Sequence, residues 1–186
     1  RIEELKSDKR QLWQDEIIAN LPDKEHLKIL DVGCGPGFFS VILSSLGHDV
    51  IGIDLTESMI QKADEIADIL DYDIDFRVMN AQELDFDDEE FDVVISRNLT
   101  WTLPDIEKAY KEWYRVLKKD GVLLNFDADY GKVSLKEEMK SLGEEHSHNM
   151  MDSSLVKECD DIKQELEISK RRRPMWDEKF LQEIGF

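Results

Sequence analysis

The chain has 186 residues, 41% of them hydrophobic, with only 9 glycines and 4 prolines, which suits one globular domain with a real core and not a disordered tail. Its formal net charge of -19 argues against nucleic acid or an anionic membrane as the main partner, because such surfaces are held by an excess of lysine and arginine. Cys34 and Cys159 stand far apart, in no CxxC or Cys/His spacing, so no disulfide framework and no metal site are expected, and a reducing cytoplasm fits best.

The elements follow in chain order. Leu12, Trp13, Ile17 and Leu21 recur at helical spacing before Pro22, which predicts an N-terminal helix packed on something else. "LKILDV" at Leu27 to Val32 reads as a fully buried strand, and after three glycines "FFSVILSSLG" reads as a helix ending at Gly47. "DVIGIDL" is a second strand, and Met59, Ile60, Ala63, Ile66, Ala67 and Leu70 give the next helix its apolar face. "IDFRVMN" and "FDVVISR" are the third and fourth strands, separated by the acidic loop "DFDDEE". Asp105 to Lys119 sets Ile106, Ala109, Tyr110, Trp113, Val116 and Leu117 on one side of a helix that Gly121 closes, and "GVLLNFD" is a fifth strand. Beyond Asp127 the pattern is polar and interrupted, with "KRRR" at Lys170 to Arg173 read as a solvated helix face, and "PMWDEKFLQEIGF" is a last short helix. Apolar strands alternating with amphipathic helices predict an α/β fold with a doubly wound, mostly parallel sheet and helices on both faces. No run approaches the roughly 18 apolar residues of a membrane span, and no basic-then-apolar leader is seen, so no membrane partner is expected. Because the chain opens on Arg1, part of the natural N-terminus is expected to precede it.

In an open α/β sheet, ligands bind beyond the carboxyl ends of the strands, where the strand order reverses. Gly33, Gly35 and Gly37, in "ILDVGCGPGFF", fall at that point. A triphosphate loop would end in Gly-Lys-Ser/Thr, whereas this one has Gly37-Phe38-Phe39. A dinucleotide loop would carry a third glycine where Phe38 stands, which argues against NAD. What remains is strand, Asp-x-Gly-x-Gly-x-Gly, helix, and then an acidic residue, Asp54, closing the second strand.

With "ILDVGCGPG", "VIGIDLTESMI", "VMNAQELDF", "FDVVISRNLTWTLPD" and "EWYRVLKKDGVLL" in order from about Lys28 to Phe126, the chain resembles the class I S-adenosylmethionine-dependent methyltransferases, type 11 (small-molecule) branch. The resemblance implies a Rossmann-like core and an enzyme that moves a methyl group from S-adenosyl-L-methionine to a small-molecule acceptor by in-line displacement, releasing S-adenosyl-L-homocysteine. The ligand's chemistry suits these residues. It is a net cation without phosphate, bare glycine backbone lets its methionine arm lie close, and Asp31 is placed to attract its ammonium. Asp54 can accept from both ribose hydroxyls, because a carboxylate is a two-oxygen acceptor; its rival role is to cap the helix that follows. Leu55 and Met59 would flank the adenine, and Asn80, Ala81 and Gln82 lie where the family reads the adenine edge. Asn80 departs from the commoner aspartate there, although its amide oxygen can still accept. Arg97 and Asn98 sit where the family's chain passes the methionine arm; Arg97 has either the ligand carboxylate or Asp31 as its partner.

Methyl transfer needs alignment more than side-chain chemistry, so no catalytic residue is named; Asn98, Asp127, Asp129 and Tyr130 are the polar groups nearest the strand ends. Trp101 is either a substrate-facing ring or a buried anchor, and His146 and His148 read as surface residues. The Asp/Asn-Pro-Pro-Tyr/Phe motif of base-directed amino-methyltransferases is replaced by "SRNL", and no Pro-Cys nucleophile is seen, which favours a small molecule over nucleic acid. Within a single domain, residues 1–129 are expected to form the core with its N-terminal helix, 130–173 a helical cap that sets specificity, and 174–186 the core's last helix. The family sheet closes with two further strands, so the chain is expected to be a piece lacking its C-terminal strands, with the fifth strand an exposed edge through which a homodimer could form. A silent binding protein, or an NAD-dependent oxidoreductase, is the alternative function.

Overall fold

The computed structural model describes residues 2–129, 134 and 153–186. The first turn of helix, α1 (Ile2–Leu5), leads into α2 (Asp8–Ile18). Then come β1 (Lys28–Val32), α3 (Phe38–Ser45), β2 (Asp49–Asp54), α4 (Glu57–Ile69), β3 (Asp75–Val78), β4 (Phe91–Arg97), α5 (Ile106–Val116) and β5 (Leu117–Phe126). After residue 152 the chain forms α6 (Ser153–Glu165), a 3-10 turn at Glu167–Lys170, and α7 (Met175–Ile184). Half of the expected cap, including Tyr130, His146 and His148, lies outside the described residues.

Among the described residues the strands make one all-parallel sheet in the order β3-β2-β1-β4-β5, as the alternation of short apolar strands and helices predicts. The order turns back beside β1, whose neighbours are β2 and β4. Side chains alternate between two cores, as a pleated strand requires. Ile29, Val50, Val93 and Ile95 face the layer of α2, α3 and α4, while Leu30, Val32, Ile51, Ile53 and Val94 face α5 and α7. Asp31 falls on the α3 side of this alternation and is only 2% exposed.

Three sequence expectations shift. α5 stops at Val116, not Lys119: Leu117, which continues the apolar helical face, instead pairs with Phe91 as the first residue of β5. The register then slips, so that Val93 meets Val122. Gly121 is therefore no helix stop but part of this bulge, where a Cβ would stand 2.9 Å from the Lys118 carbonyl oxygen and 3.1 Å from that of Asp92. On α2, Ile17 is buried and Trp13 packs inward, whereas Leu12 is 70% exposed and faces away from the core. Finally, "KRRR" is not one solvated face. The Arg173 side chain is 7% exposed, its Nε donates to Asp177 Oδ2 at 2.9 Å, and its Nη2 donates to Thr100 Oγ1 at 2.7 Å. Tyr110 Oη donates to Asp177 Oδ1 at 2.7 Å, and Thr100 donates to Asp127, so α5, β5 and α7 meet on one buried polar network. Arg171 stacks over Trp176.

Candidate functional site

The glycine loop leaves β1 at the turning point of the sheet. Cys34 N–H donates to the Ile53 carbonyl at 2.9 Å, extending the β1/β2 ladder by one step, and Gly37 N–H turns back to the Cys34 carbonyl at 3.0 Å before α3 begins. Gly33, Gly35 and Gly37 have φ of 68°, 53° and 77°, a left-handed region that side chains disfavour. Their surroundings differ. A Cβ on Gly33 would stand 2.7 Å from Leu99 Cδ2 and one on Gly37 3.0 Å from Phe76 Cζ, whereas one on Gly35 would meet nothing within 4 Å. Gly33 and Gly37 thus serve packing, and Gly35 faces open space.

Asp54 ties the loop to the second strand. Its Oδ2 accepts from Gly35 N–H at 3.0 Å, and its Oδ1 accepts from Thr56 N–H at 2.8 Å, an Asx turn that starts α4. The helix-start role is therefore present alongside the loop contact, and each oxygen keeps a lone pair for a ligand hydroxyl. Leu55, 69% exposed, and Met59, 37% exposed, present apolar surface beside it.

Asp31 lies under the loop. It accepts from Ser40 Oγ at 2.6 Å, and burial pushes its carboxyl up to about 6, against the opposing effects of the Ser40 hydrogen bonds and the Arg97 charge. A cleft of about 110 Å³ joins Asp31, Gly33, Gly35, Arg97 and Asn98, and Gly37 is the residue of the loop outside its lining. Asn98 has φ 56° and donates its N–H to the Phe126 carbonyl at 3.0 Å, so β4 and β5 run side by side to the cleft. Buried Cys34 also lines it, and burial pushes that thiol far above its ordinary range, which leaves it inert.

Beyond β3, Asn80 Oδ1 accepts from Gln82 N–H at 3.0 Å, and Ala81, 8% exposed, gives its carbonyl to Trp113 Nε1 at 2.9 Å. Gln82 Oε1 accepts from Asp105 N–H at 2.8 Å, which braces the start of α5 and leaves the amide nitrogen of Gln82 to offer a ligand. Trp101 is half-buried and its Nε1 donates to the Asn98 carbonyl at 3.0 Å; the buried apolar residues at the start of α5 are Leu103 and Ile106 instead. Asp127 is committed to Thr100, Trp101 N–H and, at 3.6 Å, Arg173 Nη1, so it holds structure at the strand end. Sequence reasoning missed Ser40, Thr100, Arg173 and Asp177. The one available signal was the spacing of Arg173 and Asp177, four apart, with Asp177 in the first turn of what becomes α7 and Arg173 just before it.

No helix among the described residues is long and apolar enough to cross a membrane. No group of three or more metal-binding side chains comes together among them either.

A doubly wound parallel sheet with its glycine loop at the turning point, an acidic residue closing β2, and a buried carboxylate beneath defines the Rossmann-like class of methyltransferase fold. A family model described as a methyltransferase domain, type 11, matches residues 30–125, more than half of the chain, and the chain belongs to that family. It is 37% identical over 118 residues to the ubiquinone/menaquinone biosynthesis C-methyltransferase UbiE of Rickettsia prowazekii, covering 59% of this chain and 47% of that protein. It is 33% identical over 99 residues to a ubiquinone biosynthesis O-methyltransferase of Pelagibacter ubique, covering 53% of this chain and 41% of that one. The chain spans less than half the length of the first curated relatives it matches. Among solved structures it superposes on PH0226 of Pyrococcus horikoshii with a TM-score of 0.63 at 31% identity, over 73% of this chain and 64% of that one. The cyclase SpnF shares the fold, with a TM-score of 0.57 at 24% identity over 61% of this chain and 43% of that one.

Proposed function

We propose that the protein is a methyltransferase that uses S-adenosyl-L-methionine to methylate a small molecule. The observation that carries this reading is the pairing of Gly35 with Asp54: a glycine open to the cleft, held by a carboxylate that still has acceptor capacity on each oxygen. A side chain at Gly35 would fill space that packing leaves empty, which is what a ligand lying on backbone needs.

S-adenosylmethionine supplies a methyl group on a sulfonium, already activated for displacement. The chain's part is to bind, orient and exclude water. Asp31 answers the ammonium and Arg97 the carboxylate. Asp54 accepts from the ribose hydroxyls, and Leu55 and Met59 cover the adenine faces, with Asn80, Ala81 and the Gln82 amide at its edge. Gly33 and Gly37 shape the loop around Gly35, and Asn98 borders the reacting end. We assign acceptor specificity to the segment 130–173 and cofactor binding to the core of 1–129 and 174–186. The charge of -19 supports a small molecule over nucleic acid, the two free cysteines support the cytoplasm, and the place of β5 at one edge of the described sheet supports a homodimer through that edge.

Titration calorimetry with S-adenosylhomocysteine and with NADH tests the reading. S-adenosylhomocysteine should bind and NADH should not; no S-adenosylhomocysteine binding up to millimolar concentration overturns it. The likeness to a cyclase on the same fold makes a second outcome informative, because binding without turnover in an acceptor screen would favour a silent binder or another chemistry.

A further inference from the structure

Arg97 ends β4 inside a set of aromatic rings. Its guanidinium carbon stands 4.7 Å from the ring centroid of Phe38, 4.9 Å from that of Phe39 and 5.3 Å from that of Trp13. Phe38 and Phe39 open α3, but Trp13 comes from α2, an element with no place in the glycine loop or the strand ends. The rings fix one another: Trp13 meets Phe39 edge-on at 5.2 Å and Phe126 at 5.3 Å, and Phe39 meets Phe126 at 5.7 Å. Phe126 is in turn the β5 residue in register with Arg97.

A guanidinium stacks on ring faces with its plane and keeps its edge N–H groups for a carboxylate. An arginine waving in solvent would lose its rotamer freedom on meeting an anion, whereas one held by three rings has lost most of it beforehand. The same Arg97 lines the glycine-loop cleft together with Asp31, so the cleft carries one fixed anion and one fixed cation. An amino-acid end group, with ammonium and carboxylate on a single carbon, has matching charges.

We propose that Trp13 is a positioning residue of the ligand site: with Phe38 and Phe39 it holds Arg97 so that the guanidinium edge meets the α-carboxylate of the methionine arm. The proposal rests on the S-adenosylmethionine reading above. It makes α2 part of the site and couples the two. Among the described residues, α2 is anchored by Ile17, which is completely buried, by Trp13 against the rings, and by Arg10 Nη2, which donates to Ser45 Oγ at 2.9 Å. A carboxylate seated on Arg97 therefore tightens α2, because coupling between two sites is reciprocal.

Two probes separate this role from mere packing. S-adenosylhomocysteine carries the amino-acid end, and 5′-methylthioadenosine has the same adenosine and thioether without it. In calorimetry, Trp13→Leu, which keeps apolar bulk but removes the ring, should weaken S-adenosylhomocysteine binding about tenfold, a loss of the size a cation–π contact can carry, and leave methylthioadenosine binding within about twofold. Trp13→Phe should restore most of the loss. Arg97→Gln should lose the same discrimination between probes, and adding Trp13→Leu to it should cost nothing further. Hydrogen exchange should show α2 amides protected by S-adenosylhomocysteine and not by methylthioadenosine. Equal weakening of both probes by Trp13→Leu, or additive losses in the double variant, would overturn the proposal while leaving the cofactor reading intact. Failure of the unaltered protein to bind either probe would instead remove the cofactor reading, and this proposal with it.

Discussion

Replacing Asp31 with asparagine should stabilise the protein above pH 6 and at the same time weaken its ligand. Asp31 is 2% exposed, and burial raises its carboxyl from 3.8 to about 6, although Ser40 and Arg97 already favour the ionised form. The sign follows from proton counting. Between pH 3.8 and about 6 the folded protein holds a proton on Asp31 that the unfolded chain has released, so stability falls as pH rises through that window. Above pH 6 the loss is complete, and at about 1.36 kcal/mol per pH unit it comes to about 3 kcal/mol. The substituted asparagine has no charge to bury and keeps an oxygen for the Ser40 hydroxyl, so it recovers this amount. For a chain of this length the gain corresponds to about 6–12 °C in Tm. Urea melts of both proteins at pH 8 and pH 5 read it directly, and their difference cancels the titration of every other carboxylate. The gain should be about 3 kcal/mol at pH 8 and about half that at pH 5. An unchanged or lower stability at pH 8, or a gain independent of pH, would refute the argument. The companion measurement is S-adenosylhomocysteine affinity, which should fall at least tenfold in the variant and, in the unaltered protein, should decline below pH 6 as Asp31 takes up its proton.

Other substitutions test other parts of the site and its frame. Gly35→Ala meets no atom within 4 Å but must hold φ 53°, so it should cost only about 1–2 kcal/mol in a denaturant melt while removing S-adenosylhomocysteine binding in calorimetry. Gly52→Ala would put its Cβ 2.6 Å from the Phe76 ring in the middle of β2, and should cost about 1–3 kcal/mol, recovered in the melt when Phe76→Leu is added. Arg173→Ala would leave Asp177 and Asp127 buried without their cation and should cost about 3–5 kcal/mol in urea, against about 1–2 kcal/mol for Tyr110→Phe, which removes one hydroxyl from the same network.

The strands were legible because a buried parallel strand is a short apolar run between breakers, and "FDVVISR" matches β4 residue for residue. The end of α5 was not. Leu117 stands four residues after Trp113, on the helix's apolar side, and only its pairing with Phe91 from the neighbouring strand turns it into sheet. Arg173 was misread for a related reason. Four consecutive basic residues look alike in sequence, and what selects one of them for burial is a set of acceptors, Asp177 on α7, Thr100 beyond β4 and Asp127 beyond β5, that assemble only in three dimensions. The same holds for Trp13: helical spacing marks it as an inward residue, but nothing in the spacing says that the inward neighbour is a cation.

Asp54 shows how a correct residue can still carry an incomplete role. Its position at the end of β2 suggested ribose recognition or a helix start, and its carboxylate in fact bonds both Gly35 N–H and Thr56 N–H. Asp54→Ala would therefore release the glycine loop and the start of α4 together, and lost binding would say nothing about ribose. The informative change lies in the ligand. If the carboxylate accepts from the ribose hydroxyls, a 2′-deoxy analogue of S-adenosylhomocysteine should bind the unaltered protein about tenfold more weakly, as a charge-assisted hydrogen bond of about 1.5 kcal/mol requires. In Asp54→Asn, where one amide nitrogen must face a backbone N–H donor or turn to the ligand, that discrimination should shrink. Discrimination that survives unchanged in Asp54→Asn would assign Asp54 to holding the loop alone, and the ribose contact would have to come from elsewhere.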